Sequence, residues 1–285
     1  MEYLIYFLIL LSSAVQSSTT KLYNRRSGNS TVFNGIKATS ALALFALMAI
    51  FGFTFHFPTL MLGLLYGASL CLSMHTGFLA LCLGPMALTS MLVSFSVLIP
   101  LVYGALVLGE KVGLVQAIAF ALLVFAIILT NIDKLRSGKK AEKGYTKWLI
   151  CVFLTFAANG LCSVIQKQHQ VLYPGAYSRE FMLYAMLLCA LVFSTISLIR
   201  LRPGQIFTTK GKVYGILSGI ANGLAGFFTL ILAGLENATV LFPIISAGTI
   251  LAALLCGKFI FKEKLRLHHY FALIFGICAV VLMKL

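Results

Sequence analysis

Apolar residues run in long blocks along this chain, separated by short polar stretches. Blocks near the roughly 20 residues needed to cross a bilayer core fall at 3–20, 36–54, 58–80, 86–108, 112–131, 148–166, 181–199, 213–233, 239–261 and 268–284. Their length predicts transmembrane helices, whereas the strands of a membrane barrel would alternate over about ten residues. No soluble domain fits in the connections. The expected fold class is all-α and integral to the membrane: ten transmembrane helices forming two inverted five-helix repeats. The block from Met1 to Thr20 has Glu2 as its only early charge and lacks the basic flank of a secretory signal, so it is expected to remain a span.

An internal repeat supports the division. At an offset of 153 residues, Gly104, Glu110 and Lys111 fall on Gly257, Glu263 and Lys264. Gly63 and Gly67 fall on Gly215 and Gly219 at 152, and Ser17 and Lys21 on Ser163 and Lys167 at 146. The first repeat covers residues 1–132, a basic cytoplasmic linker 133–147, and the second repeat 148–285. Five spans per copy make the second copy enter the membrane in the opposite sense, a plan that puts a substrate site where the halves meet. In the first turn, Gly109 is suited to end the fourth span in a left-handed conformation. Glu110 is then expected to cap the fifth span, where a carboxylate is favoured.

Polar residues inside such spans should face protein or a wet cavity. In the first span Ser13, Gln16, Ser17 and Thr20 share a helical face, and in the sixth Asn159, Cys162, Ser163 and Gln166 do the same. Tyr66, Ser69 and Ser73 share a face of the third span, and Ser218, Asn222 and Thr229 one of the eighth. Ser96 in the fourth corresponds to Thr249 in the ninth. The expected substrate cavity is Ser13, Gln16, Ser17, Tyr66, Asn159, Ser163, Gln166 and Asn222, with Lys21 and Lys167 as candidate gate charges. Interhelical hydrogen bonding is the competing use of the same side chains. Gly63/Gly67 and Gly215/Gly219/Gly223 are expected to serve close helix packing. Pro100 and Pro243 interrupt the fourth and ninth spans and are candidates for bends beside a cavity. His75 is the one histidine placed deep in a span, and is expected to be a neutral packing residue.

Charge changes the picture in one respect. Only 10% of residues are charged, yet the net charge is +15. Basic residues are retained on the cytoplasmic side. They gather in four connections: Lys21, Arg25, Arg26 and Lys37; the six between Lys134 and Lys147; Arg200, Arg202, Lys210 and Lys212; and Lys258, Lys262, Lys264 and Arg266. Only Lys111, Lys167, Arg179 and Lys284 lie opposite. These loops are therefore expected to be cytoplasmic and both termini extracytoplasmic, in a multi-pass protein of the cell membrane. Nucleic acid is not needed to explain the charge, since the loops lack stacking aromatics; anionic lipid is the expected polyanion. The seven cysteines lie in apolar blocks without metal-ligand spacing, so neither a metal nor a cofactor is expected.

The turns Leu108-Gly109-Glu110-Lys111 and Phe261-Lys262-Glu263-Lys264, each before the last helix of its half, make the chain resemble the drug/metabolite transporter superfamily, in particular its EamA-like ten-helix members. That resemblance implies a basket of helices around a central cavity and transport of small metabolites or drugs, often outward. Members are usually described with cytoplasmic termini; the charges of this chain argue the reverse. The expected function is a secondary transporter of small metabolites, amino acid-like or otherwise uncharged, zwitterionic or anionic, because no carboxylate lies at mid-span. A homodimer is compatible with it. A channel or scaffold is the alternative. An enzyme acting on lipid substrates is less expected, because the seven acids are scattered along the chain.

Overall fold

A computed structural model describes residues 2–24, 30–83, 89, 92–136, 145–200, 209–260 and 267–283. The chain forms helices α1 (Glu2–Asn24), α2 (Ser30–Ile50) and α3 (Phe57–Leu83), then a 3-10 turn (Phe95–Val97) leading into α4 (Leu98–Leu106). There follow α5 (Leu114–Arg136), α6 (Tyr145–Leu172), α7 (Ser178–Arg200), α8 (Thr209–Ala233), α9 (Ala238–Phe259) and α10 (Leu267–Met283). Among the described residues there is no strand, and seven helices, α1 to α3 and α6 to α9, are long and apolar enough to cross a membrane. Leu92–Leu106, Leu114–Leu129 and Leu267–Met283 are shorter apolar helices. Outward-facing Leu4, Phe7, Leu47, Phe153, Leu191 and Ile277 are each more than half exposed, an apolar exterior suited to lipid rather than water.

Several boundaries differ from those expected, for local reasons. The second helix starts at Ser30 and stops at Ile50, where Gly52 takes a φ of 137° and Pro58 fixes the first turn of α3. Lys37 therefore sits inside α2, only 7% exposed, and not in a basic connection. The sixth helix continues beyond 166 to Leu172, because its polar end is buried and hydrogen-bonded. Residues 133–136 and 145–147 of the expected linker are helical. The Glu263-Lys264 turn and Arg25 and Arg26 lie outside the described residues, as does the side chain of Lys21.

The helices group into two compact units, Met1–Cys71 with Ile165–Gly234 and Leu72–Val164 with Leu235–Leu285. Each unit takes helices from both halves of the sequence. In the first, α1 packs on α8, and α2 packs on α7 and α8. Phe45, Phe181, Met182, Met186 and Phe193 are fully buried there. The glycines make this packing close. A methyl group at Gly67 would lie 2.7 Å from the Ala185 carbonyl oxygen, and one at Gly63 2.9 Å from that of Phe181. Gly215, Gly219 and Gly223 lie against Ile36, Lys37 and Phe45 of α2 in the same manner. In the second unit, α5 packs on α10, and α9 on α10 and α4, around Leu123, Ile127, Ala247 and Ala279. Trp148, buried with Ala80 and Val152, donates its indole N–H to Thr89 Oγ1 at 2.8 Å.

Candidate functional site

The second unit holds an open cavity of about 280 Å³, just under the roughly 300–1,000 Å³ of small-molecule sites. Four positions of the first half line it, Val93, Ser94, Ser96 and Val97. From the second half come Asn159 and Ser163 of α6 and Phe242, Ile245, Ser246, Thr249 and Ile250 of α9. Val93, Ser96 and Val97 are the positions that the 153-residue offset lays on Ser246, Thr249 and Ile250. Three first-half positions thus line the cavity together with the three that the sequence offset lays on them.

Its first-half wall is an interruption in the helix. Residues 95–97 wind as a 3-10 turn, and Pro100, buried in the first turn of α4, lacks the N–H that would bond the Ser96 carbonyl. Such a segment within a helix often marks a hinge or a functional bend. Pro243 behaves differently: α9 runs through it unbroken, and the adjacent Phe242 faces the cavity.

The polar groups on the wall are largely unengaged. Ser73 Oγ donates to Asn159 Oδ1, which fixes the amide and leaves its nitrogen without a protein partner among the described residues. The hydroxyls of Ser96, Ser163 and Ser246 likewise have none there, while Thr249 Oγ1 donates to the Ser246 carbonyl of its own helix at 2.9 Å. Among the described residues, no charged side chain lines the cavity. In an apolar surround, unengaged polar groups must meet water or a polar solute.

The other expected site residues belong to the first unit. Gln166 is buried and donates to the Gly226 carbonyl at 3.0 Å. Lys167 Nζ donates to the Ala233 carbonyl at 3.1 Å, a cation at the C-terminus of α8, as the helix dipole favours. Tyr66 is buried against Phe181, with ring centroids 5.2 Å apart. Asn222, Ser13 and Gln16 are half-buried and Ser17 is exposed. On α1 the buried polar groups are Ser12 and Thr19, and the nearby Thr20 hydroxyl lies 3.4 Å from Ser218 Oγ.

Glu110 caps a helix, but not the fifth. Its carboxylate accepts the backbone N–H groups of Ala238 and Thr239, both at 2.8 Å, and the Thr239 hydroxyl at 2.9 Å, so it caps α9. The start of α5 is served instead by Gln116 Oε1, which accepts the Gly113 N–H at 3.0 Å. Gly109 has the expected left-handed φ, 66°, and Lys111 is exposed. A methyl at Gly104 would lie 2.6 Å from the Glu110 carboxylate and 3.1 Å from Ala238 Cβ. Gly104 and Glu110 therefore form one device that seats the start of α9.

Two features escaped the sequence. Lys37, counted with the loops, is a buried lysine whose Nζ has no hydrogen-bond partner among the described residues. His75 is half-buried, whereas His169, placed beyond the expected end of its span, is fully buried in α6. The run of polar residues around His169 reads as a helix end unless its partners are known.

With the site in view, comparison with known proteins establishes the fold alone. A solved chain described as "Crystal structure of protein" superposes with a TM-score of 0.81 at 14% identity, covering 99% of this chain and 95% of its own length. No family model and no curated protein matches the chain.

Proposed function

We propose that this chain is a multi-pass membrane carrier for small, uncharged polar solutes, with the second-unit cavity as its binding site. The observation that carries this reading is the set of unengaged groups, Ser96, Asn159, Ser163 and Ser246, on a wall drawn from both halves of the chain. Zwitterions and anions fit less well than uncharged solutes, since nothing on the wall would balance a buried charge. With Lys167 engaged at the end of α8, a gate role for it is not favoured.

Ten spans in two inverted repeats of the drug/metabolite transporter kind remain the proposed architecture, working by alternating access. Packing supports it. Gly63 and Gly67 seat α3 on α7, and their equivalents Gly215 and Gly219 seat α8 on α2. A two-fold operation exchanging α3 with α8 and α2 with α7 generates one contact from the other. The proposed topology keeps the basic loops cytoplasmic and both termini outside, with solutes moved outward.

The test is solute counterflow into proteoliposomes holding the purified chain, using labelled polyols, nucleosides and amides beside amino acids. Saturable uptake of an uncharged class is expected. Flux that rises linearly with concentration would mark a channel and overturn the carrier.

A further inference from the structure

The first unit contains a second polar cluster, at the ends of α6 and of the segment entering α3, and its hydrogen bonds have a defined direction. The Gly175 backbone N–H donates to Gln170 Oε1 at 3.0 Å. A backbone N–H can only donate, so the amide oxygen is identified and the amide nitrogen must point the other way. That nitrogen donates to Ser178 Oγ at 3.0 Å and lies 3.3 Å from His169 Nδ1. Nδ1 must therefore accept, and His169 carries its proton on Nε2. The Nε2–H lies 3.2 Å from Thr59 Oγ1, which receives it, and the Thr59 hydroxyl proton is left for His56 Nδ1 at 2.9 Å. Thr59 and His169 are 0% exposed and Gln170 2%, whereas His56 is half-buried.

This polarity satisfies every donor of the chain with both imidazoles neutral, and an extra proton costs it a hydrogen bond. A proton added at His56 Nδ1 confronts the Thr59 O–H. Thr59 can turn so that its oxygen accepts from both rings, but its own O–H then loses the acceptor it had on His56 at a position 0% exposed, and a proton moved to His169 Nδ1 instead would meet the Gln170 N–H. Gln170 cannot flip, because Gly175 holds its oxygen.

We propose that the chain His56–Thr59–His169–Gln170 is a proton-binding site that fastens the 51–56 segment to the end of α6 when empty and releases it when loaded. Other groups of the region fit that role. Tyr177, at a left-handed φ of 52° rare for a bulky residue, stacks on the His56 ring at 4.3 Å, and Tyr173 meets the same ring edge-on. From α7, Glu180 accepts the Thr54 N–H and hydroxyl at 3.3 Å, and Arg179 lies beside Gly52. Lys167 of α6 is bound to Ala233. His56 is the entry point, since the other members are sealed from water. The inference does not depend on the carrier reading.

Hydrogen exchange on the full-length protein in nanodiscs, read by mass spectrometry and corrected for intrinsic rates, tests it. Imidazoles titrate between about pH 5 and 8, so the window runs from about pH 7.5 to about pH 5.5. Amides of residues 51–60 and 170–178 should open at least about fivefold more readily at the acid end, as loss of a buried hydrogen bond predicts. The double variant His56→Gln/His169→Gln keeps a donor and an acceptor at each position without titrating, and should lose the pH dependence. Thr59→Val severs the chain and should be open at both pH values. Wild-type protection that is equal at the two pH values overturns the proposal. So does an unchanged pH response in either variant; if the double variant fails to fold, the wild-type and Thr59→Val measurements decide.

Discussion

Two polar regions in an apolar molecule invite comparison: the cavity wall of the second unit and the histidine cluster of the first. In the cluster each donor meets an acceptor, from the Gly175 N–H through Gln170, His169 and Thr59 to His56. On the wall, the Ser96, Ser163 and Ser246 hydroxyls and the Asn159 amide nitrogen have no protein partner among the described residues. Buried polar groups are costly unless satisfied. The engaged set holds protein to protein, and the unengaged set is left for something that comes and goes. Residue type alone does not distinguish them, since hydroxyls and amides occur in both. Partnering does.

That contrast is broken most directly at Gln170. Gln170→Leu removes its bonds to Gly175, Ser178 and His169, and should destabilise the protein by about 3 kcal/mol. A thermal melt should show a fall in Tm, with solute affinity in the surviving folded protein within about twofold of wild type. Glu110→Ala comes next, at about 2 kcal/mol for a carboxylate that accepts three hydrogen bonds at the start of α9. Gly104→Ala should lower Tm similarly, because the added methyl meets that carboxylate. Glu110 belongs to the same unit as the cavity. A large stability loss there shows that partnering, not location, separates the two sets; a loss below about 0.5 kcal/mol would break the comparison.

Much of this was legible in the sequence. Long apolar blocks announce helices because the backbone in lipid must satisfy itself, and the offset that pairs Ser96 with Thr249 finds two residues of one cavity. Spacing on a single helix also grouped Asn159 and Ser163, which do line it. The same stripe included Gln166, which the structure gives to a carbonyl of α8. A helical stripe specifies a face, but α6 passes from one unit into the other, and what lies opposite changes along it. Glu110 fails for a related reason: near its own next helix in sequence, it caps one that lies 128 residues further along the chain. Lys37 and His169 were misplaced because a charged or polar residue near a block's edge looks like the end of a span when its burial is unknown.

Asn159 tests the wall itself. Asn159→Ala removes the unengaged amide nitrogen along with the bond from Ser73. Solute flux should fall about five- to tenfold, equivalent to roughly one hydrogen bond, and stability should change by less than about 1 kcal/mol. Counterflow and a melt on the same preparation separate the two effects. A Tm loss as large as that of Gln170→Leu, with flux intact per folded molecule, would place Asn159 among the engaged groups.

The smallest difference lies between two equivalent positions. The 153-residue offset pairs Ser96 with Thr249 and both line the same cavity, but only Thr249 has given its hydroxyl proton to a carbonyl of its own helix. If unengaged groups are what a solute uses, equivalence should not make them equal. Ser96→Ala should reduce apparent affinity by about threefold, whereas Thr249→Val, which removes a hydroxyl whose only proton is already given to its own helix, should change it by less than twofold, since a net hydrogen bond is worth about 1 kcal/mol. Apparent affinities from counterflow at graded solute concentrations resolve that gap. Equal losses at both positions would mean that symmetry, rather than the state of each hydroxyl, governs how the wall meets its solute.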